Sequence, residues 1–156
     1  MRQPMTSPNL RLATPLDIPA IQRIVRDAYS PYIARIGREP GPMSDDYAAL
    51  IEAQRVQVLE RDGAIDGLLV LIPEAEALLL DNVAVSPHAQ GLGWGRTLMA
   101  IAEQTALDLG YCAIRLYTNE AMVENLAIYQ RLGYVETHRG EENGLKRVYM
   151  CKVLAE

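Results

Sequence analysis

The residues best placed to do chemistry form one short run, Gln90-Gly91-Leu92-Gly93-Trp94-Gly95-Arg96. Glycines at alternating positions let the main chain approach a ligand closely and turn several N–H groups one way. Helix periodicity follows, so a helix N-terminus adds its positive end. A pyrophosphate is the ligand such a loop suits. Two other phosphate motifs fit less well. A dinucleotide fingerprint needs G-x-G-x-x-G, and here the third glycine comes one residue early, with Arg96 in its place. A P-loop needs Gly-Lys-Ser/Thr, which is missing. A bare strand-to-helix turn stays open, although one glycine would serve for it.

Other chemistries have thinner support. The two cysteines, Cys112 and Cys151, make neither a CxxC pair nor a disulfide framework, and read as buried small apolar residues. No metal-ligand pattern stands out. His88 is a loop residue with no evident partner, and His138 reads as a surface residue on a terminal strand. The net charge of −5 argues against nucleic acid, which needs clustered Lys and Arg. It suits a small cationic substrate such as an amine, or serves solubility alone. No apolar run approaches the ~20 residues of a membrane helix, and Met1 to Pro8 has no apolar stretch of a signal peptide. A cytoplasmic protein without membrane contact is expected.

The elements that must position the loop can be read on either side of it. At 156 residues the chain suits one domain, expected over 9–156 with 1–8 as a flexible tail. Leu10 to Ala13 reads as a first strand. Thr14-Pro15 opens a helix with apolar residues at Ile18, Ile21, Ile24 and Val25, ended by Ser30-Pro31. Tyr32 to Met43 is a loop with room for one helical turn. Ser44-Asp45-Asp46 caps a second helix. Strands follow over Val56–Glu60 and Ala64–Ile72, joined by Asp62-Gly63. Ala77 to Val85 is nearly all apolar, as a strand covered on both faces should be. A helix runs from Gly93 to Leu109 and stops at Gly110. A strand over Ala113–Thr118, a helix over Val123–Leu132 and a hairpin turning at Asn143-Gly144 complete the chain. The order is β-α-α-β-β-β-α-β-α-β-β, an α/β chain on one mixed sheet.

These residues resemble a known family. Gln90-x-x-Gly93-x-Gly95 is similar to the Q/R-x-x-G-x-G/A signature of the GNAT superfamily of N-acetyltransferases. Leu80 to Pro87 looks like that family's fourth strand. Asn125 to Tyr134, with Tyr129 and Gly133-Tyr134, looks like its last helix and the turn beyond. The resemblance covers Val56 to the C-terminus and implies a single-domain, mostly antiparallel mixed sheet flanked by helices.

It also implies an acetyl-CoA-dependent N-acetyltransferase. Acetyl-CoA would lie between splayed fourth and fifth strands. Its pantetheine arm would pair with the backbone around Val83, Ala84 and Val85. Its pyrophosphate would rest on the loop, Gln90, Gly91, Leu92, Gly93, Trp94, Gly95 and Arg96. A primary amine would attack the thioester directly. That amine must be neutral: at pH 7 the deficit is about 4.6 kcal/mol for a lysine-type amine and about 1.4 for an α-amino group. Asp81 is the candidate base, expected on the strand face of Val83 and Val85; a paired carboxylate at the strand edge is the plain alternative. The Val83 N–H would face the oxyanion. Tyr129 resembles the family's general acid, with a core aromatic as its alternative. Asn125, four residues earlier on the same helix face, would reach the cofactor or else be a surface polar residue. Many family members carry Asn seven residues before the tyrosine; here that position is Met122, so Asn119 and Asn125 are the candidates to replace it.

On the acceptor side the resemblance points to the first helices and the last hairpin. Tyr29, Tyr32 and Arg35, with Asp81, are the candidate substrate residues, and a small-molecule amine is the expected partner. A non-catalytic acyl-CoA-binding module, a protein N-terminal or lysine acetyltransferase, and a homodimer all stay open.

Overall fold

The computed structural model describes residues 9–155; the expected tail over 1–8 lies outside them. Seven strands form one sheet in the order β1-β2-β3-β4-β5-β7-β6. β1 (Asn9–Leu12), β2 (Val56–Arg61), β3 (Ala64–Pro73) and β4 (Leu78–Val85) pair antiparallel in sequence. β5 (Ala113–Asn119) runs parallel to β4, and β7 (Leu145–Val153) and β6 (Val135–Glu142) follow it antiparallel. The sheet is therefore mixed and mostly antiparallel, as expected.

The α-helices among the described residues are α1 (Ile18–Tyr29), α2 (Ile33–Ile36), α3 (Tyr47–Glu52), α4 (Trp94–Asp108) and α5 (Val123–Arg131). The expected order holds, with α2 supplying the single helical turn of the 32–43 stretch. The local signals that set these limits are visible. The Asp46 carboxylate accepts the Ala49 N–H at 3.1 Å and caps α3. Asn143 and Gly144 both take positive φ, +54° and +78°, as the two-residue turn between β6 and β7 requires.

The sheet separates two cores. On one side α1 and α3 bury Ile21, Ile24, Val25, Tyr47 and Ile51 against Val56, Val58, Leu68, Val70 and Ala84. On the other, Leu98, Met99, Ala102 and Ala106 of α4 pack on Leu69, Leu71, Leu78, Leu80, Ile114 and Leu116, with Leu126 and Tyr129 of α5 and Leu132 just after it beside them. One expectation fails: Cys112 is exposed and Cys151 half-buried. Cys112 lies in the connection leading to β5, and Cys151 sits on β7 opposite the fully exposed β6. No helix is long and apolar enough to cross a membrane among the described residues.

Candidate active site

The site begins where two strands part. β4 and β5 pair only over Leu78–Leu80 and Ile114–Leu116. At that point β4 carries a bulge: Val70 of β3 faces Asn82 and the next residue, Leu71, faces Leu80, leaving Asp81 as the extra residue. A bulge bends the strand and adds twist, so β4 leaves β5 and a cleft opens from Asp81 onward. The bulge also breaks alternation. Leu80 and Val83 both pack on the α4-side core, while the Asp81 carboxylate accepts the Tyr117 hydroxyl at 2.9 Å. The expectation that Asp81 shares the face of Val83 and Val85 is thus corrected, because strict period-two counting fails across an inserted residue.

The cleft leads into a cavity walled by β4, β5, α5, β7 and the Pro40–Pro42 loop. Tyr29, Asp81, Val83, Asn119, Asn125 and Tyr129 all reach it. Burial pushes the Asp81 pKa up; the Tyr117 hydroxyl and Arg147 pull it down, and Glu74 opposes them. Tyr129 packs edge-on to Tyr134 at 6.0 Å. Burial pushes its pKa up to about 12, so the phenol keeps its proton at neutral pH. Its hydroxyl has no protein partner among the described residues, unlike those of Tyr29, Tyr47 and Tyr117. Asn119 is partly occupied, its Oδ1 accepting the Ala121 N–H at 2.9 Å.

Two nominated residues stay outside the cavity. The Arg35 guanidinium bonds Glu124 at 2.8 Å and the Ala121 carbonyl at 3.0 Å, tying α2 to α5. Tyr32 stacks under that guanidinium, 5.1 Å away. The Arg35 bonds all leave from Nη1, and its side chain is 45% exposed and lines no part of the cavity, so its position and not a lack of donors sets it apart from an acceptor.

Sequence reasoning missed Asn82, which is 3% exposed. Tyr29 donates to its Oδ1 at 2.6 Å, and its Nδ2 donates at 3.2 Å to Tyr47, whose hydroxyl donates to the Pro42 carbonyl at 2.5 Å. This chain braces β4 against α1, α3 and the cavity rim. No local pattern marks it, since its members lie 35 and 53 positions apart. Tyr117 and Arg147 were missed as well.

The glycine loop opens a second groove, the next along β4 and α5: Val83 and Tyr129 line the cavity, and Val85 and Ile128 line the groove. Gln90, Gly91, Gly93, Trp94, Gly95, Arg96 and Met99 line it, together with Ile128 and Arg131 of α5. Gly91 and Gly93 take φ of +83° and +84°, and nothing lies within 4 Å of where their Cβ atoms would be. The first helical hydrogen bond is that from Thr97 to the Gly93 carbonyl. The Trp94, Gly95 and Arg96 N–H groups therefore precede the ladder and can serve a ligand. The buried Trp94 indole N–H also lacks an acceptor. Two arginines, free N–H groups and backbone without side chains suit an elongated phosphorylated ligand. Leu92 instead projects outward, 54% exposed, and the Ala84 side chain is buried in the α1-side core. His88 has the partners its sequence context did not reveal. Its Nδ1 lies 2.8 Å from Ser86 Oγ and its Nε2 3.0 Å from Asp66 Oδ1, pinning the start of the loop to β3.

Known proteins share this fold. The ribosomal-protein-S18-alanine N-acetyltransferase of Escherichia coli matches with a TM-score of 0.76 over 96% of both chains, at 17% identity. The PaiA N-acetyltransferase of Thermoplasma acidophilum, solved in complex with coenzyme A, matches with a TM-score of 0.77 over 94% of this chain and 99% of that one, at 16% identity. A mycothiol acetyltransferase of Thermomonospora curvata is 42% identical over 52 residues, 33% of this chain; the match spans 18% of that relative's length. The model of the Acetyltransferase (GNAT) domain matches residues 52–136. That stretch holds the bulged strand, the glycine loop and both helices beside the cleft, and is more than half of the sequence, so the chain belongs to the GNAT acetyltransferase family.

Proposed function

We propose that this protein transfers the acetyl group of acetyl-CoA to a primary amine by direct attack, with no covalent enzyme intermediate. The observation that carries the reading is the succession of two hollows along β4 and α5. A groove suited to a phosphorylated ligand lies at Val85, and a cavity holding a half-buried carboxylate and an unpartnered phenol lies at Val83, beside the stretch of β4 that β5 leaves unpaired. The loop N–H groups with Arg96 and Arg131 would hold the pyrophosphate, and the backbone of Val83 to Val85 the pantetheine arm. Acetyl-CoA supplies the thioester carbonyl.

Asp81 accepts the proton that the amine must lose before its lone pair can form the new C–N bond. Its raised pKa makes it a better base than an ordinary aspartate, which is nearly proton-free at pH 7. The Val83 N–H faces the oxygen as charge builds on it. As the C–S bond breaks, Tyr129 donates to the sulfur. A thiol's ordinary pKa of about 8.5 lies well below that of Tyr129, so full transfer is uphill and the phenol acts first as a hydrogen-bond donor.

The test is Tyr129→Phe. Losing this donor should lower kcat by about 10²-fold or more while CoA affinity, measured by calorimetry, stays within about twofold. Unchanged turnover would remove Tyr129 from the chemistry. CoA binding by the unaltered protein without thiol release on any amine would favour a non-catalytic acyl-CoA-binding module instead.

A further inference from the structure

We propose that the acceptor carries a carboxylate close to its amine, and that Arg147 is the residue that reads it. The proposal rests on the acetyltransferase reading and deepens it.

Arg147 lies on β7 opposite Asn119 of β5 and lines the same cavity as Asp81. Its side chain is only 15% exposed, and its guanidinium stacks 4.2 Å from the centre of the Tyr117 ring. The Tyr117 hydroxyl in turn donates to Asp81. Tyr117 thus carries a cation over its ring face and an anion at its hydroxyl, and both line the same cavity. A molecule bearing both an ammonium and a carboxylate has the complementary pattern.

The guanidinium has donors to spare. It carries five N–H groups. Among the described residues one nitrogen, Nη1, is engaged, with Glu142 at 2.7 Å. That carboxylate is 58% exposed at the rim, and a pair screened by water contributes little. Stacking fixes the plane of the fork, and the facing Gly41 has no side chain to fill the space: a Cβ there would sit 3.6 Å from Nη2. An arginine turned into a cavity with unused donors loses hydration without full compensation. A carboxylate matches the fork in two parallel bonds. An amide or neutral amine offers at most one acceptor oxygen and no charge.

The test uses the full chain with acetyl-CoA and matched probes: L-amino acids, their carboxamides and the corresponding decarboxylated amines, followed by thiol release. The acid member of at least one set should be preferred about tenfold or more in kcat/KM. Arg147→Ala should erase that preference, mainly by raising KM for the acid about 10- to 100-fold, as expected for a hydrogen bond to a charged group. CoA affinity should hold. Arg147→Lys keeps the charge but not the fork, and should recover part of the preference. Amides or amines used as well as the acids throughout would overturn the proposal, as would an Arg147→Ala variant that slows acid and amide alike. If no amine releases thiol, acetyl transfer itself fails. Calorimetric binding of the acid and amide pairs to the CoA-loaded protein then still decides: acid-selective binding lost in Arg147→Ala upholds the assignment, and no acid-selective binding refutes it.

Discussion

Removing the Asn82 side chain is the sharpest probe of how β4 is braced. Asn82→Ala deletes the acceptor of the Tyr29 hydroxyl and one of the two partners of the Tyr47 hydroxyl. Tyr47 keeps the Pro42 carbonyl, but Tyr29 is left with only a 3.4 Å contact to the Val83 carbonyl. Two hydrogen bonds at about 1 kcal/mol each, plus about 1 kcal/mol or more for a hydroxyl left poorly paired in a buried setting, give a loss near 3 kcal/mol. For a chain of this size each kcal/mol is worth roughly 2–4 °C, so Tm should fall by roughly 6–12 °C. Urea unfolding with fits for both midpoint and slope would separate a true stability change from an altered unfolded state. Tyr29→Phe supplies the control. Once that hydroxyl is gone, Asn82→Ala has less left to break, and the double variant should fall short of the sum by about 1 kcal/mol. An Asn82→Ala variant within about 0.5 kcal/mol of the parent, or strict additivity with Tyr29→Phe, would refute the brace.

Asp81 links stability and activity with opposite signs. Because burial raises its folded-state pKa, the folded chain binds this proton more tightly than the unfolded chain. Asp81 therefore penalises stability above its folded pKa, and the penalty is relieved as pH falls through it. Asp81→Asn should raise Tm at pH 7–8 while abolishing turnover, and carbon NMR of the Asp81 carboxyl should show a midpoint above the ordinary value of about 3.9. Tyr117→Phe should move that midpoint higher still; a downward move would contradict the assigned hydrogen bond. The glycine loop makes a second contrast. Gly93→Ala meets open space but a φ of +84°, so it should cost about 1–2 kcal/mol from the backbone alone and weaken CoA binding in calorimetry. Gly95→Ala lies within α4, where alanine gains about 0.5–1 kcal/mol. It should leave Tm equal or higher while its methyl crowds the groove and lowers CoA affinity; equal loss of Tm in both variants would undo the distinction.

Donor side and acceptor side were unequally legible, and the reason is physical. The glycine loop, the helix start at Trp94, the stop at Gly110 and the Asn143-Gly144 turn depend on the sign of φ and on N–H groups a few residues apart, so a short window contains all that decides them. A ligand held by backbone N–H groups can be read from such a window. The bulge at Asp81 cannot, because it exists only relative to the register of β3. Arg35 shows the same limit from the other side. Its place near the first helices made it a candidate substrate residue, yet its partner is Glu124, 89 positions away. Arg147 gave no signal, because its place beside the cavity follows from β7 pairing with β5 across the sheet. The wall that would recognise the acceptor is assembled from Gly41, Asp81, Tyr117 and Arg147, spread over more than a hundred positions, and each is ordinary in its own neighbourhood. Local backbone geometry can therefore stay the same while those four residues change, which leaves the acceptor the part of the reaction most free to differ between chains that keep the same loop.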